Sequence, residues 1–207
     1  MIGAVVLAAG RSTRMGTQKL LLPIGSKPVI ACVVDELLLG QPEKLVIVVG
    51  PDGAQIQQVL RGRQVLLVEN PKRDGDMLSS LRCGLRALPA SCAAILVALG
   101  DQPGITHELV RELLRAFHQT GRGIIVPAHE GRRGHPLLFA ARFRDELLSR
   151  HDGVGLHGLL DSHGEEILEV PVSTASLLED LDTPEDYQTH LKSTARGPAA
   201  CGRGAAR

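Results

Sequence analysis

The chain contains no tryptophan, one tyrosine and three phenylalanines in 207 residues, so it offers almost nothing on which nucleic-acid bases could stack. It also lacks any excess of charge: 23 Lys and Arg oppose 23 Asp and Glu, which removes the basic field that a DNA or RNA binder needs. The four cysteines, Cys32, Cys83, Cys92 and Cys201, form no CxxC pair and have no histidine at zinc-finger spacing. A disulfide scaffold and a structural zinc module are thereby excluded, and the thiols read as reduced, in a cytoplasmic chain. No apolar stretch approaches the roughly 20 residues needed to cross a bilayer. The opening MIGAVVLAAGRS has no positive segment ahead of its apolar run, which suits a buried strand and not a secretion signal.

What is present is a composition of 43% hydrophobic and 22% charged residues, enough for one compact core without staples. Short aliphatic runs recur at Ile2 to Leu7, Lys44 to Val49, Gln64 to Val68, Ala93 to Leu99 and Gly123 to Val126. They are continuous and not alternating, as strands covered on both faces are. Helical periodicity fills the gaps at Val29 to Leu39, Ala54 to Leu60, Leu78 to Leu88 and His107 to His118. This rhythm predicts an α/β fold, a three-layer α/β/α sandwich around a mostly parallel, Rossmann-like sheet. Later strands at Pro136 to Ala140 and Glu165 to Val170, and a helix at Pro184 to Leu191, are expected to complete or flank it, as an antiparallel strand or a small lid. A single domain is expected over 1–192, and the Gly-rich, basic residues 193–207 read as a disordered tail.

Ligands of open α/β sheets sit at the carboxyl ends of the strands, so the loops there carry the functional signal. The first is LAAGRSTRMG running into Lys19. After Leu7, the small residues Ala8, Ala9 and Gly10 allow a ligand against the backbone, and Arg11, Arg14 and Lys19 supply positive charge for a polyphosphate. A tight turn with solvated arginines would look the same. Neither the GxxxxGK[ST] nor the GxGxxG spacing is met. The second loop, Gly100 to Pro103, puts Asp101 at the end of a buried strand, where a carboxylate needs a partner; a divalent cation is a natural one. The third, LEDLDTPED, holds Asp180 and Asp182 ahead of a helix start at Thr183 and Pro184, so either aspartate could be ligand or cap. Ser79 and Ser80 stand at another helix start, as caps or as anion or base contacts. Gly134, His135 and Pro136 follow a basic turn that suits an acidic second substrate.

LAAGRSTRMG with KLLLP, GDQP, GHP and DLDTPED together resemble the MobA-like nucleotidyltransferases with a GT-A-type fold, the branch holding the molybdenum cofactor cytidylyltransferases and guanylyltransferases. The resemblance covers residues 1 to about 190. It implies that Leu7, Ala8, Ala9, Gly10, Arg11, Arg14, Lys19, Ser79, Ser80 and Asp101 bind the nucleotide, with Arg14, Lys19 and Asp101 catalytic. It further implies Mg2+ on Asp101 and Asp182, and an acceptor site at Gly134, His135 and Pro136. The reaction implied is transfer of CMP from CTP to the phosphate of molybdopterin cofactor with release of pyrophosphate, for a recipient molybdenum hydroxylase. Guanylyl transfer to the same acceptor, a non-catalytic cofactor chaperone and a nicotinamide-dependent oxidoreductase are the alternatives, the last disfavoured by the missing GxGxxG.

Overall fold

The computed structural model describes residues 1–10, 18–72, 75–173 and 179–196. Its elements are, in chain order, β1 (Ile2–Ala8), β2 (Pro23–Ile24), β3 (Lys27–Pro28), α1 (Val29–Gly40), β4 (Lys44–Val49), α2 (Ala54–Val59), β5 (Leu66–Glu69), α3 (Met77–Ala87), β6 (Ala94–Leu99), α4 (His107–Thr120), β7 (Ile124–His129), β8 (Arg132–Arg133), β9 (Leu137–Ala140), α5 (Arg144–Ser149), α6 (Leu156–Ser162), β10 (Ile167–Pro171) and α7 (Pro184–Arg196). The main sheet runs β10, β7, β9, β6, β1, β4, β5, with β8 paired to β7, and β2 with β3 forms a separate hairpin.

Strands β5, β4, β1 and β6 are mutually parallel, and β10 is parallel to β7. Their apolar runs are continuous because both faces are covered. Ala4, Val6, Ile47 and Leu96 face α1 and α4, packing with Ile30, Val34, Val110 and Leu113. Val5, Val48, Ile95 and Val97 face the opposite layer, with Leu81 and Leu85 of α3, Leu147 of α5 and Leu159 of α6. The expected sandwich is therefore observed, mixed but mostly parallel.

Two features place the functional loops. The chain moves outward from β1 to β4 and β5, then returns to β6 on the other flank of β1; this reversal opens a crevice at the carboxyl ends of β1 and its neighbours. The ends are flush, since Ala8 pairs with Val49 and Leu7 with Leu99. The second feature is β9, which does not flank the sheet but is inserted between β6 and β7, antiparallel to both. Val97 pairs with Leu137 and Ala94 with Ala140. An antiparallel strand begins where its neighbours end, so the residues just before β9 lie at the crevice.

Sequence patterning did not anticipate α5, α6 or the hairpins, whose segments are short and rich in polar residues. Arg144 holds α5 against the end of α3, donating to the carbonyls of Leu88 at 2.6 Å, Pro89 at 2.9 Å, and Leu85. These are among the last carbonyls of that helix and the turn behind it, which lack helical donors. Helix α7 continues to Arg196, past residue 192 where the domain was expected to end; residues 197–207 lie outside the described residues. No helix among the described residues is long and apolar enough to cross a membrane.

Candidate active site

The apolar triplet after Lys19 fixes that lysine. Leu20 is buried in the core beside α1, and Lys19–Leu21 forms a single 3-10 turn, so the Lys19 side chain is directed back toward the crevice. On the other side, Leu181 is anchored in a small core with Ile24, Val29 and Cys32, and its N–H donates to the Asp101 carbonyl at 3.1 Å. That bond pins LEDLDTPED to the end of β6 and brings its flanking aspartates to the same place.

The result is a three-residue cluster. Lys19 Nζ is 2.9 Å from Asp182 Oδ1 and forms an ion pair with Asp101 Oδ2. Lys19 and Asp101 are largely shielded, whereas Asp182 is 45% exposed. Burial alone would weaken the lysine's charge, but the hydrogen bonds and charges of Asp101 and Asp182 outweigh it and hold its pKa above the ordinary value. The two carboxylates are thus arranged around one cation. Their oxygens form the donor set that a hard divalent ion takes, together with phosphate oxygens and water, so these residues fit a metal in the place of the ammonium.

The cap of α7 is formed by residues other than the Asp182 carboxylate. Asp186 Oδ2 accepts from the Thr183 N–H at 2.8 Å and the Asp182 N–H at 3.2 Å, while Thr183 Oγ1 accepts from the Asp186 N–H at 3.2 Å. Thr183 and Asp186 cap α7 reciprocally, and the Asp182 carboxylate meets Lys19. Asp180 points to the other side, accepting from Gln102 Nε2 at 2.6 Å. Burial, reinforced by the charge of Asp101, pushes the Asp180 pKa up against the Gln102 bond.

Ala8, Ala9 and Gly10 end β1 between two glycines that sequence reading passed over as site residues. A Cβ on Gly100 would stand 3.2 Å from the Leu7 carbonyl oxygen and 3.0 Å from Ile30 Cδ1; one on Gly50 would stand 3.2 Å from the Ala9 carbonyl oxygen. The Gly100 N–H donates to that Leu7 oxygen at 3.0 Å. Arg11 and Arg14 lie outside the described residues.

At α3, the cap is Asp76, not a serine: its carboxylate accepts from the Ser79 N–H at 2.7 Å. Ser79 and Ser80 are instead bound by a residue sequence reading missed. Asn70 is 2% exposed; its Nδ2 donates to Ser79 Oγ at 2.9 Å and Ser80 Oγ at 3.0 Å, and its Oδ1 accepts from the Lys72 N–H at 3.1 Å. The available signal was its position immediately after the strand Leu66–Glu69. Gly134 and His135 line a cavity of about 540 Å³ together with Gln102 and Asp180, and Pro136 is buried at the start of β9. Burial lowers the His135 pKa to about 4, with the charge of Asp101 opposing that shift and His157 adding to it.

A crevice at the strand reversal, a lysine between two carboxylates and a small-residue strand end beside them are groups that could hold a polyphosphate and a metal. A family model for the MobA-like NTP transferase domain matches residues 4–167. The molybdenum cofactor cytidylyltransferase of Escherichia coli (strain K12) is 24% identical over 191 residues, covering 91% of this chain and 94% of its own. A nucleotidyl transferase from Methanothermobacter thermautotroptrophicus superposes with a TM-score of 0.83 at 28% identity, over 95% of this chain and 98% of its own. A Mycobacterium tuberculosis H37Rv protein whose structure is a complex with manganese does so with a TM-score of 0.77 at 29% identity, over 93% and 98%. In fold and in sequence over most of its length, the chain belongs to the family of MobA-like NTP transferase domains.

Proposed function

We propose that this protein is a cytidylyltransferase that transfers CMP from CTP to the phosphate of molybdopterin cofactor, releasing pyrophosphate and serving a molybdenum hydroxylase. The observation that carries the reading is the convergence of Lys19, Asp101 and Asp182 at the ends of β1 and β6. The similarity to the Escherichia coli cytidylyltransferase along nearly the whole chain supports the choice of substrates.

An acceptor phosphate oxygen attacks the α-phosphorus of the nucleotide; the new P–O bond forms as the bond to the bridging oxygen breaks, and pyrophosphate leaves with that electron pair. The acceptor is already an anion, so no protein nucleophile is needed, and the cysteines have no chemical role. The work of the protein is positioning and electrostatic stabilisation. Ala8, Ala9 and Gly10 lie against the ribose and base edge, and Leu7 and Arg11 also bind the nucleotide. Lys19 and Arg14 hold the phosphates, Ser79 and Ser80 meet the base, and Gly134, His135 and Pro136 border the acceptor. Asp101 and Asp182 would hold Mg2+, which neutralises charge on the phosphate oxygens when bound. With a metal there, the Lys19 ammonium would be available to the triphosphate.

The test is pyrophosphate release from CTP, GTP, ATP and UTP with molybdopterin cofactor as acceptor and Mg2+ present. CTP is expected to give the highest kcat/KM. A preference for GTP would make the protein a guanylyltransferase, and no release with any nucleotide would overturn the catalytic reading in favour of a cofactor carrier.

A further inference from the structure

Away from the Lys19 cluster, helix α1 carries two adjacent acids in unlike surroundings. Asp35 is paired with Lys27 Nζ and with Arg63 Nε, each at 2.6 Å. Among the described residues, neither Glu36 nor Glu108 forms an ion pair with a lysine or an arginine. Both meet His107, the first residue of α4. His107 Nδ1 is 2.8 Å from Glu36 Oε2, which also accepts the His107 backbone N–H at 2.8 Å, and His107 Nε2 is 2.9 Å from Glu108 Oε1. Arg111, one turn further along α4, lies within range of the Glu108 charge, but its guanidinium donates to the Leu39 carbonyl at 2.8 Å.

Each nitrogen of the ring therefore faces a carboxylate oxygen. A carboxylate only accepts, and a neutral imidazole carries one N–H, so one of the two contacts sets lone pair against lone pair unless a further cation is present. The two carboxylates also carry two negative charges, of which a protonated ring balances one. A divalent ion balances both. One ligand atom each from Glu36, His107 and Glu108 can be chosen so that all three lie within 4.8 Å of one another. The ligands of a tetrahedral zinc ion stand about 3.3 Å apart, and the Glu108 side chain, 71% exposed, is free to swing that far.

We infer that Glu36, His107 and Glu108 form a zinc site that joins α1 to α4, with water as the fourth ligand. One imidazole with carboxylates is a donor set that zinc takes, and the imidazole favours zinc over magnesium. Glu36 is the fixed member, largely shielded and held by the backbone of α4. The exposed Glu108 leaves the entry path that a metal site needs. None of the three residues belongs to the Lys19, Asp101 and Asp182 cluster, so the site does not depend on the transferase reading. The ion clamps the first turn of α4, which begins shortly after Asp101, onto α1.

The experiment is a titration of the metal-free full chain with Zn2+ alone, in competition with a chromophoric zinc chelator, with thermal unfolding as a second readout. Asp101→Asn is titrated alongside, to keep the crevice carboxylates out of the count. Zinc is expected to bind wild type and Asp101→Asn alike and to raise Tm in both. Affinity should fall at least tenfold in His107→Gln and in Glu108→Gln, and the exposure of Glu108 keeps the second change from disturbing the fold. Unchanged affinity in either variant overturns the site and leaves a protonated ring as the cation. Binding that is lost in Asp101→Asn and kept in Glu108→Gln also overturns it, and assigns the zinc to the crevice. Absence of binding to wild type overturns it outright.

Discussion

Lys19 Nζ lies between two carboxylates that stand 81 residues apart in the chain, 2.9 Å from Asp182 Oδ1 and in ion-pair contact with Asp101 Oδ2. One cation is shared by two anions at the mouth of the crevice, and in the proposed reaction a metal ion arriving with a triphosphate would compete for the same oxygens. Most of the behaviour expected of this site follows from that competition.

Replacing Asp101 with Asn removes one of the two anions while leaving the side-chain volume unchanged. Pyrophosphate release should drop by about 100-fold or more, the scale typical of a lost electrostatic contact to the transferring group. Far-ultraviolet circular dichroism should be unaltered, because Lys19 retains Asp182. Wild-type turnover in this variant would remove Asp101 from the reaction.

Lys19→Met has two separable consequences. Turnover should slow and the nucleotide KM rise, because a phosphate contact is lost. Without the lysine, however, Asp101 and Asp182 lose the cation they share, so Mn2+ alone should bind more tightly than to the wild type. A ligand held at 100 times its dissociation constant stabilises the folded state by about 2.7 kcal/mol. Thermal unfolding with and without Mn2+ reads this directly: a larger rise in Tm for the variant is expected, and an equal rise would place the metal elsewhere.

His135 makes stability depend on pH. Its pKa is about 4 in the folded protein, against about 6.5 for an ordinary histidine. Between these values the unfolded chain takes up a proton that the folded one refuses, so folding stability falls as pH drops from about 6.5 to about 4, by about 3 kcal/mol in total. His135→Phe should lose this slope. Urea unfolding at about pH 7 and about pH 4.5 checks it: the variant should gain on the wild type at the lower pH, and a constant difference between them would reject the shift.

Asn70 binds Ser79, Ser80 and the Lys72 N–H from a buried position. Asn70→Ala should cost about 1–3 kcal/mol through the groups it leaves unpaired and should raise the nucleotide KM more than that of the acceptor. A change confined to stability would show that the serines only fix the start of α3.

Arg82 acts on the other side. From α3 it donates to the carbonyls of Leu147 at 2.8 Å and Arg150 at 2.7 Å and to Asp152 Oδ1 at 2.6 Å, bracing the loop whose residues Gly153, Val154 and Gly155 line the cavity. Arg82→Ala should raise the acceptor KM about tenfold, with the nucleotide KM unchanged. Equal effects on both would mean that the loop does not belong to the acceptor side.

The sequence by itself determined the layered architecture, because continuous aliphatic runs such as IGAVVLA and AILVAL are stable only as strands covered on both faces. It also singled out Asp101, since a carboxylate at the end of a buried strand needs a partner, and Lys19 as positive charge near a small-residue strand end, while the ligand role of Asp182 came from the family resemblance. Only the tertiary structure decided which partners they have. Asp182 meets Lys19 because Leu181 is buried beside Ile24 and Val29 and bonded to the Asp101 carbonyl, and His135 reaches the crevice because β9 runs backwards between β6 and β7. Arg82 carries no pattern in the linear chain, and Asn70 and Gln102 show only that they follow the strands β5 and β6. Their roles arise from hydrogen bonds to residues on other elements, and the geometry of such bonds is fixed by how the elements pack, not by the local run of residues.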